Sequence, residues 1–164
     1  MSQRAAWCAV VFGLGAAPVL WSNPVVSAEP PLNTLNGTWG GDGSLAFDDG
    51  PAEKLTCLGY YKSPRDGKNL SIVIRCHGDP DKLELRAKLD YDNGKLSGTW
   101  EERTYNAAGD VMGQATDKSL NLKFSGSLDG KMSIAFSPTT QSVSVTISTA
   151  NSGLKGAQIS LNKR

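Results

Sequence analysis

The sequence is poor in the residue types from which catalytic and metal centres are usually built. It has one histidine, His77, and three cysteines in 164 residues. It contains no Gly-rich phosphate loop, no Ser-His-Asp set and no zinc-type spacing of Cys and His. No cofactor is implied, and no metal site beyond what a single histidine could anchor. Helical spacing of apolar residues is missing past the N-terminal segment, which argues against a helical bundle. No later stretch is long and apolar enough to span a bilayer.

What the N-terminus does have is the pattern of a targeting segment. Arg4 supplies a short basic region, residues 5–20 are apolar and uncharged, and Val26-Ser27-Ala28 is a small-residue cleavage site. Residues 1–28 are therefore expected to be a signal peptide, cleaved after Ala28, and the product to be periplasmic or secreted. Cys8 leaves with that segment. The rest of the chain is of a size for one domain with one core. Without Arg4, 16 basic side chains face 16 acidic ones, with signs interspersed. Nothing in that balance suggests nucleic acid or an anionic membrane as partner.

Cys57 and Cys76 remain, and in an oxidising compartment a disulfide is their expected state. A reactive thiol with His77 as base would need side chains that adjacent strand positions point to opposite faces. The two cysteines are equidistant from the Asp66-Gly67 turn, so they are expected opposite or nearly opposite on one hairpin. Pro64 starting a four-residue turn would shift the register by a residue or two.

Turn signals such as Asp48-Asp49-Gly50-Pro51, Asp92-Asn93-Gly94 and Leu128-Asp129-Gly130 divide the chain into segments of mostly 8 to 10 residues. Within them apolar residues alternate with polar ones. Leu83, Leu85, Ala87, Leu89 and Tyr91 share one face, and Lys82, Glu84, Arg86, Lys88 and Asp90 the other, as in a half-buried antiparallel strand. The same pattern turns Leu120, Leu122 and Phe124 inward, then Met132, Ile134 and Phe136, then Val143, Val145 and Ile147, then Ile159 and Leu161. The expected fold is all-β: an antiparallel up-and-down barrel of about eight to ten strands over residues 37–164, with residues 29–36 as an N-terminal arm. A β-sandwich is the alternative, but it usually needs longer crossing connections.

Because strand direction alternates in a meander, inward residues can be assigned to an end. Trp39, Tyr61 and Tyr91 fall at one end, where aromatic bulk is expected to plug the barrel. Glu53 and Glu102 fall at the other, with Trp100 two residues below Glu102. These three are the candidate ligand-binding residues: two carboxylates at an apolar mouth could orient a mostly hydrophobic guest. The competing reading is a pair of solvated rim residues. Gly37, Gly41 and Gly43 flank or share the face of Trp39, and signify either interior room or a bend, the bend being the simpler. His77, Asp79 and Asp81 have metal-capable side chains but are accounted for by a turn. Asp90-Tyr91-Asp92-Asn93-Gly94 echoes a calcium loop, yet its Asn-Gly is a hairpin turn signal.

One phrase occurs twice, Leu35-Asn36-Gly37-Thr38-Trp39 and Leu96-Ser97-Gly98-Thr99-Trp100. The first copy resembles the G-x-W signature of the calycins, the lipocalin and avidin-like superfamily of antiparallel barrels. That resemblance implies that Trp39 packs at the closed end beneath a basic residue from the chain's last strand, Lys163 or Arg164. The second copy looks like an avidin strand, but the chain keeps only two tryptophans beyond the targeting segment and lacks the aromatic set of a biotin pocket. Residues 35–50, Cys57, Tyr60-Tyr61, Cys76 and residues 96–103 together look like a group of small exported bacterial proteins of unassigned activity. A further resemblance is to small periplasmic inhibitors of secreted metalloproteases, one-disulfide barrels with a free N-terminal arm.

The functional expectation is a protein that binds rather than catalyses, with a small apolar ligand as first candidate. The alternative is a periplasmic protease inhibitor or a cell-envelope protein-interaction module that uses its loops or arm. A carrier requires a continuous interior cavity opening near Glu53 and Glu102; an inhibitor or structural barrel should be filled.

Overall fold

The computed structural model describes residues 31–79 and 82–164. The targeting segment expected over 1–28, Glu29 and Pro30 of the arm, and Pro80 and Asp81 lie outside the described residues. A 3-10 turn, Pro31–Leu35, leads into ten strands: β1 (Gly37–Phe47), β2 (Glu53–Lys62), β3 (Asn69–His77), β4 (Lys82–Asp92), β5 (Lys95–Glu102), β6 (Ala107–Ala115), β7 (Ser119–Gly126), β8 (Gly130–Phe136), β9 (Thr140–Ile147) and β10 (Leu154–Lys163). Each strand pairs antiparallel with the next, and β10 returns to β1 to close the barrel. The up-and-down barrel expected from the alternation is therefore the fold, at the upper end of the strand count, and not the sandwich. Among the described residues no helix is long and apolar enough to cross a membrane.

Local chemistry sets the register. Asn93 and Gly94 take φ of 47° and 86°, both positive, as a two-residue type I′ hairpin requires. They join Asp92 to its partner Lys95 with no strand residue lost. In the β2–β3 hairpin, Gly67 donates its N–H to the Pro64 carbonyl at 2.9 Å. This turn leaves Cys57 directly opposite Cys76, with Cα atoms 4.1 Å apart and the disulfide formed. Cys76 is buried while His77 is exposed on the other face, so the two cannot act as a thiol–imidazole pair. At Gly41 a Cβ would lie 2.0 Å from the Ser160 carbonyl oxygen of β10. Glycine there reflects close approach of the two closing strands rather than interior room.

One end of the barrel is packed solid. Trp39 is fully buried, and its indole N–H donates to the Leu35 carbonyl at 2.8 Å. Tyr61 meets it edge-on at 6.4 Å between ring centroids, and Tyr91 packs partly buried against the same core. Lys163 Nζ lies 5.2 Å from the Trp39 ring centroid, within the range of a cation–π contact. It also donates to the Thr34 carbonyl at 3.2 Å. Of the two basic residues implied by the calycin resemblance, Lys163 is the one over the ring. The Tyr61 hydroxyl donates to Gln141 Oε1 at 2.7 Å, and burial pushes this phenol above its ordinary range.

The segment read as an arm is docked from Pro31 onward. Leu32 and Leu35 are fully buried and belong to the core, because a ring of ten strands is too wide for inward side chains alone to cover its end. Asn36 exchanges two hydrogen bonds with the backbone of Ser63, tying the turn to the end of β2.

Three stability outcomes are expected. Replacing both Cys57 and Cys76 with Ala should lower unfolding free energy by about 3 kcal/mol, the chain-entropy value for a loop of this length, read from denaturant titration. Leu35→Ala should cost about 2–5 kcal/mol as a buried large-to-small change. Met112→Ala, at a site 63% exposed on the outer face, should cost under about 0.5 kcal/mol.

Candidate functional site

The other end of the barrel is open. A cavity of about 620 Å³ descends from it, lined by inward side chains of every strand except β2. Leu85, Ala87, Trp100, Leu122, Met132 and Ala157 form its deeper wall, while the turns after β5, β7 and β9 supply its rim through Tyr105, Leu128 and Ser152. Alternation accounts for the wall, since residues at every second position of a barrel strand face inward. The turn residues are a different matter, because nothing in strand periodicity says which turns lean over an opening.

Trp100 lines the cavity midway. Its ring meets Phe124 edge-on at 5.5 Å between centroids. Its indole N–H reaches across β6 to the Ser125 carbonyl of β7 at 3.1 Å. The crossing point is Gly109, the partner of Trp100 in β6, where a Cβ would stand 2.9 Å from the indole nitrogen and 1.7 Å from the Ser125 oxygen. A glycine beneath a tryptophan on the neighbouring strand is the pattern that lets the ring lie flat along the wall.

Glu102 also lines the cavity, at the mouth, but its carboxylate is already engaged. One oxygen accepts the N–H groups of Glu84 at 2.8 Å and Thr104 at 3.1 Å, and the other accepts that of Tyr105 at 2.7 Å. The residue is only 7% exposed. Charge-assisted bonds of this kind are stronger than neutral ones, and these three fold the β5–β6 turn back onto β4. Glu102 thus holds the rim in shape rather than reaching into the opening. Glu53 begins β2 opposite Leu45 and is no part of the cavity lining, since β2 turns its fully covered Leu55 and Cys57 inward below it. The structure therefore brings Trp100 and Glu102 together at the cavity and leaves Glu53 aside.

On the outer wall behind Glu102, Glu84 carries ion pairs to Arg75, Arg86 and Arg103. The hydrogen bond from Arg86, with Arg75 adding to it, holds the Glu84 carboxyl below its ordinary value. The stabilisation from this depressed carboxyl is present above the unfolded-state pKa and is lost as pH falls through the folded one. Among the described residues no three His, Cys, Asp or Glu side chains converge as metal ligands would.

Of the portal residues Tyr105, Asn106, Ser127, Leu128 and Ser152, the sequence marks Leu128 only as part of a turn, and strand periodicity says nothing of the others. A usable signal was present: Ala87, Ala107 and Ala157 are small at inward positions of this half, where the opposite half carries Trp39, Tyr61 and Leu161.

No family model matches the chain, and no curated protein matches its sequence. Among solved structures, the crystal structure of Rv2717c from M. tuberculosis is similar with a TM-score of 0.66 and 12% identity, covering 82% of this chain and 98% of that one. The S-type phycobiliprotein lyase CPES from Guillardia theta is similar with a TM-score of 0.58 and 12% identity, covering 81% and 89% respectively. The likeness is one of fold alone. By its fold the chain is a ten-stranded, disulfide-linked antiparallel barrel with one closed and one open end.

If Glu102 holds the rim, Glu102→Ala should destabilise the protein by about 1.5–3 kcal/mol. It should also speed amide exchange at Glu84, Thr104 and Tyr105 well before the amides of β8 and β9. In a carboxyl NMR titration, Glu84 should show a midpoint below its ordinary 4.5, and Arg86→Ala should move that midpoint upward.

Proposed function

We propose that the protein is a non-catalytic binding protein that holds a small apolar ligand inside the barrel, acting in the periplasm or outside the cell after removal of its signal peptide. The observation that carries this reading is the cavity of about 620 Å³, open at one end and walled by hydrocarbon. It lies within the size range of small-molecule sites, roughly 300–1,000 Å³. Binding there is driven by removal of apolar surface from water, which is non-directional and tolerates variation in guest shape. The Cys57–Cys76 disulfide supports an oxidising compartment.

The alternative, a protease inhibitor or envelope interaction module working through its loops or a free arm, expects a filled barrel. It also needs an arm free to insert, whereas Pro31–Leu35 contributes Leu32 and Leu35 to the core. The phycobiliprotein lyase shares only the fold and adds no chemistry to this reading.

The direct test is native mass spectrometry of the protein purified from its own host. An organic guest should be released on gentle activation, and a bare mass throughout would sink the proposal. A second test fills the site. Ala157 lines the cavity between Leu45 of β1 and Val145 of β9. Ala157→Phe should weaken binding of a fluorescent naphthylamine probe by at least about tenfold, some 1.4 kcal/mol, with the β-sheet circular dichroism unchanged.

A further inference from the structure

We infer that the guest is uncharged, and that the cavity discriminates against anionic amphiphiles such as fatty acids. The inference rests on the apolar-ligand reading above and goes beyond it by assigning the guest's charge.

Among the described residues no lysine, arginine or histidine lines the cavity. Two basic residues that adjoin its mouth in sequence are turned to other partners, Arg103 approaching Glu84 at 3.8 Å and Lys155 donating to the Asp48 carbonyl at 3.2 Å, and Lys82, next to Leu83, is exposed. An anionic head group drawn inside would therefore be desolvated with no cation to meet it, which is strongly unfavourable. Among the described residues the one charged side chain in the lining is Glu102, of the same sign as such a head, and repulsion between like charges rises as water is excluded.

A cationic head gains little from Glu102 either, because it would compete with the three backbone N–H groups the carboxylate already serves. Apart from Tyr105 and Asn106 at the rim, the other polar side chains of the lining are committed in the same way. Ser127 Oγ both donates to and accepts from the backbone of Ala108, Ser152 Oγ does the same with Leu154, and the Trp100 indole N–H is spent on Ser125. Among the described residues, no side chain below the rim holds out a hydrogen-bonding group to a polar guest. A neutral, hydrocarbon-rich molecule loses least by entering.

Two probes of nearly equal shape separate charge from size: N-phenyl-1-naphthylamine, which is neutral, and 8-anilino-1-naphthalenesulfonate, which carries one negative charge. With the folded full-length domain, the neutral probe should bind at least about tenfold more tightly, and Ala157→Phe should weaken it. Leu154→Lys, which sets a cation at the mouth, should narrow the gap by strengthening the sulfonate probe. Equal affinity for both probes, each lost in Ala157→Phe, would overturn the charge inference while leaving the apolar site intact. So would a Leu154→Lys variant that leaves the gap unchanged. Binding of neither probe would overturn the apolar-ligand reading itself.

Discussion

Closure of ten strands into one ring is the constraint on which the remaining features of this protein depend. Barrel diameter grows with strand number, and side chains just fill the interior at about eight strands. Ten strands enclose more cross-section than their inward residues can occupy, so each end must be covered by something else or stay open. At one end the covering is a 3-10 turn from before the first strand, which sets Leu32 and Leu35 beneath Trp39 and is clasped by Lys163 from the last strand. The two chain ends of the barrel thus meet at one tryptophan, and the β1–β10 seam is closed by side chains as well as by its ladder.

Among the described residues the other end has no such turn, and several of its inward positions, Ala87, Ala107 and Ala157, are small. The cavity is what the ring leaves unfilled. Its mouth keeps its shape because Glu102 spends its charge on three backbone amides of the rim. That use of the carboxylate has a consequence for function. A group that looked able to greet a ligand is instead consumed in building the opening, and among the described residues no other charged side chain lines it. The apolar-ligand proposal and the inference of an uncharged guest both follow from this arrangement: the wall offers surface to cover but no ion to pair with.

Much of the fold was legible before any coordinates. Alternation in β4, from Lys82 to Tyr91, gives the two faces correctly because the side-chain period of a strand is two and needs no partner to be read. Asn93-Gly94 and the symmetric placement of Cys57 and Cys76 about residues 66 and 67 are local signals with local causes. The up-and-down order then assigned Trp39 and Tyr61 to one end and Glu102 to the other without knowledge of the strand tilt. Less could be read of the site. Glu53 and Glu102 look equivalent in sequence, each an inward-phased acid near the same end. They part company because β2 carries large, fully covered residues below Glu53, whereas β5 carries Trp100 against an unfilled space.

Periodicity, turn chemistry and cysteine spacing by themselves determined that this chain forms an antiparallel meander with a disulfide and an aromatic end, since each of those signals acts over a few residues. Only the tertiary structure decided that the ring closes at ten strands, that residues 31–35 plug it, that the space beneath Trp100 stays empty, and that Glu102 faces backbone amides. These depend on the width of the closed ring and on which turns fold over its rim, distances between segments far apart in the chain that no local pattern encodes.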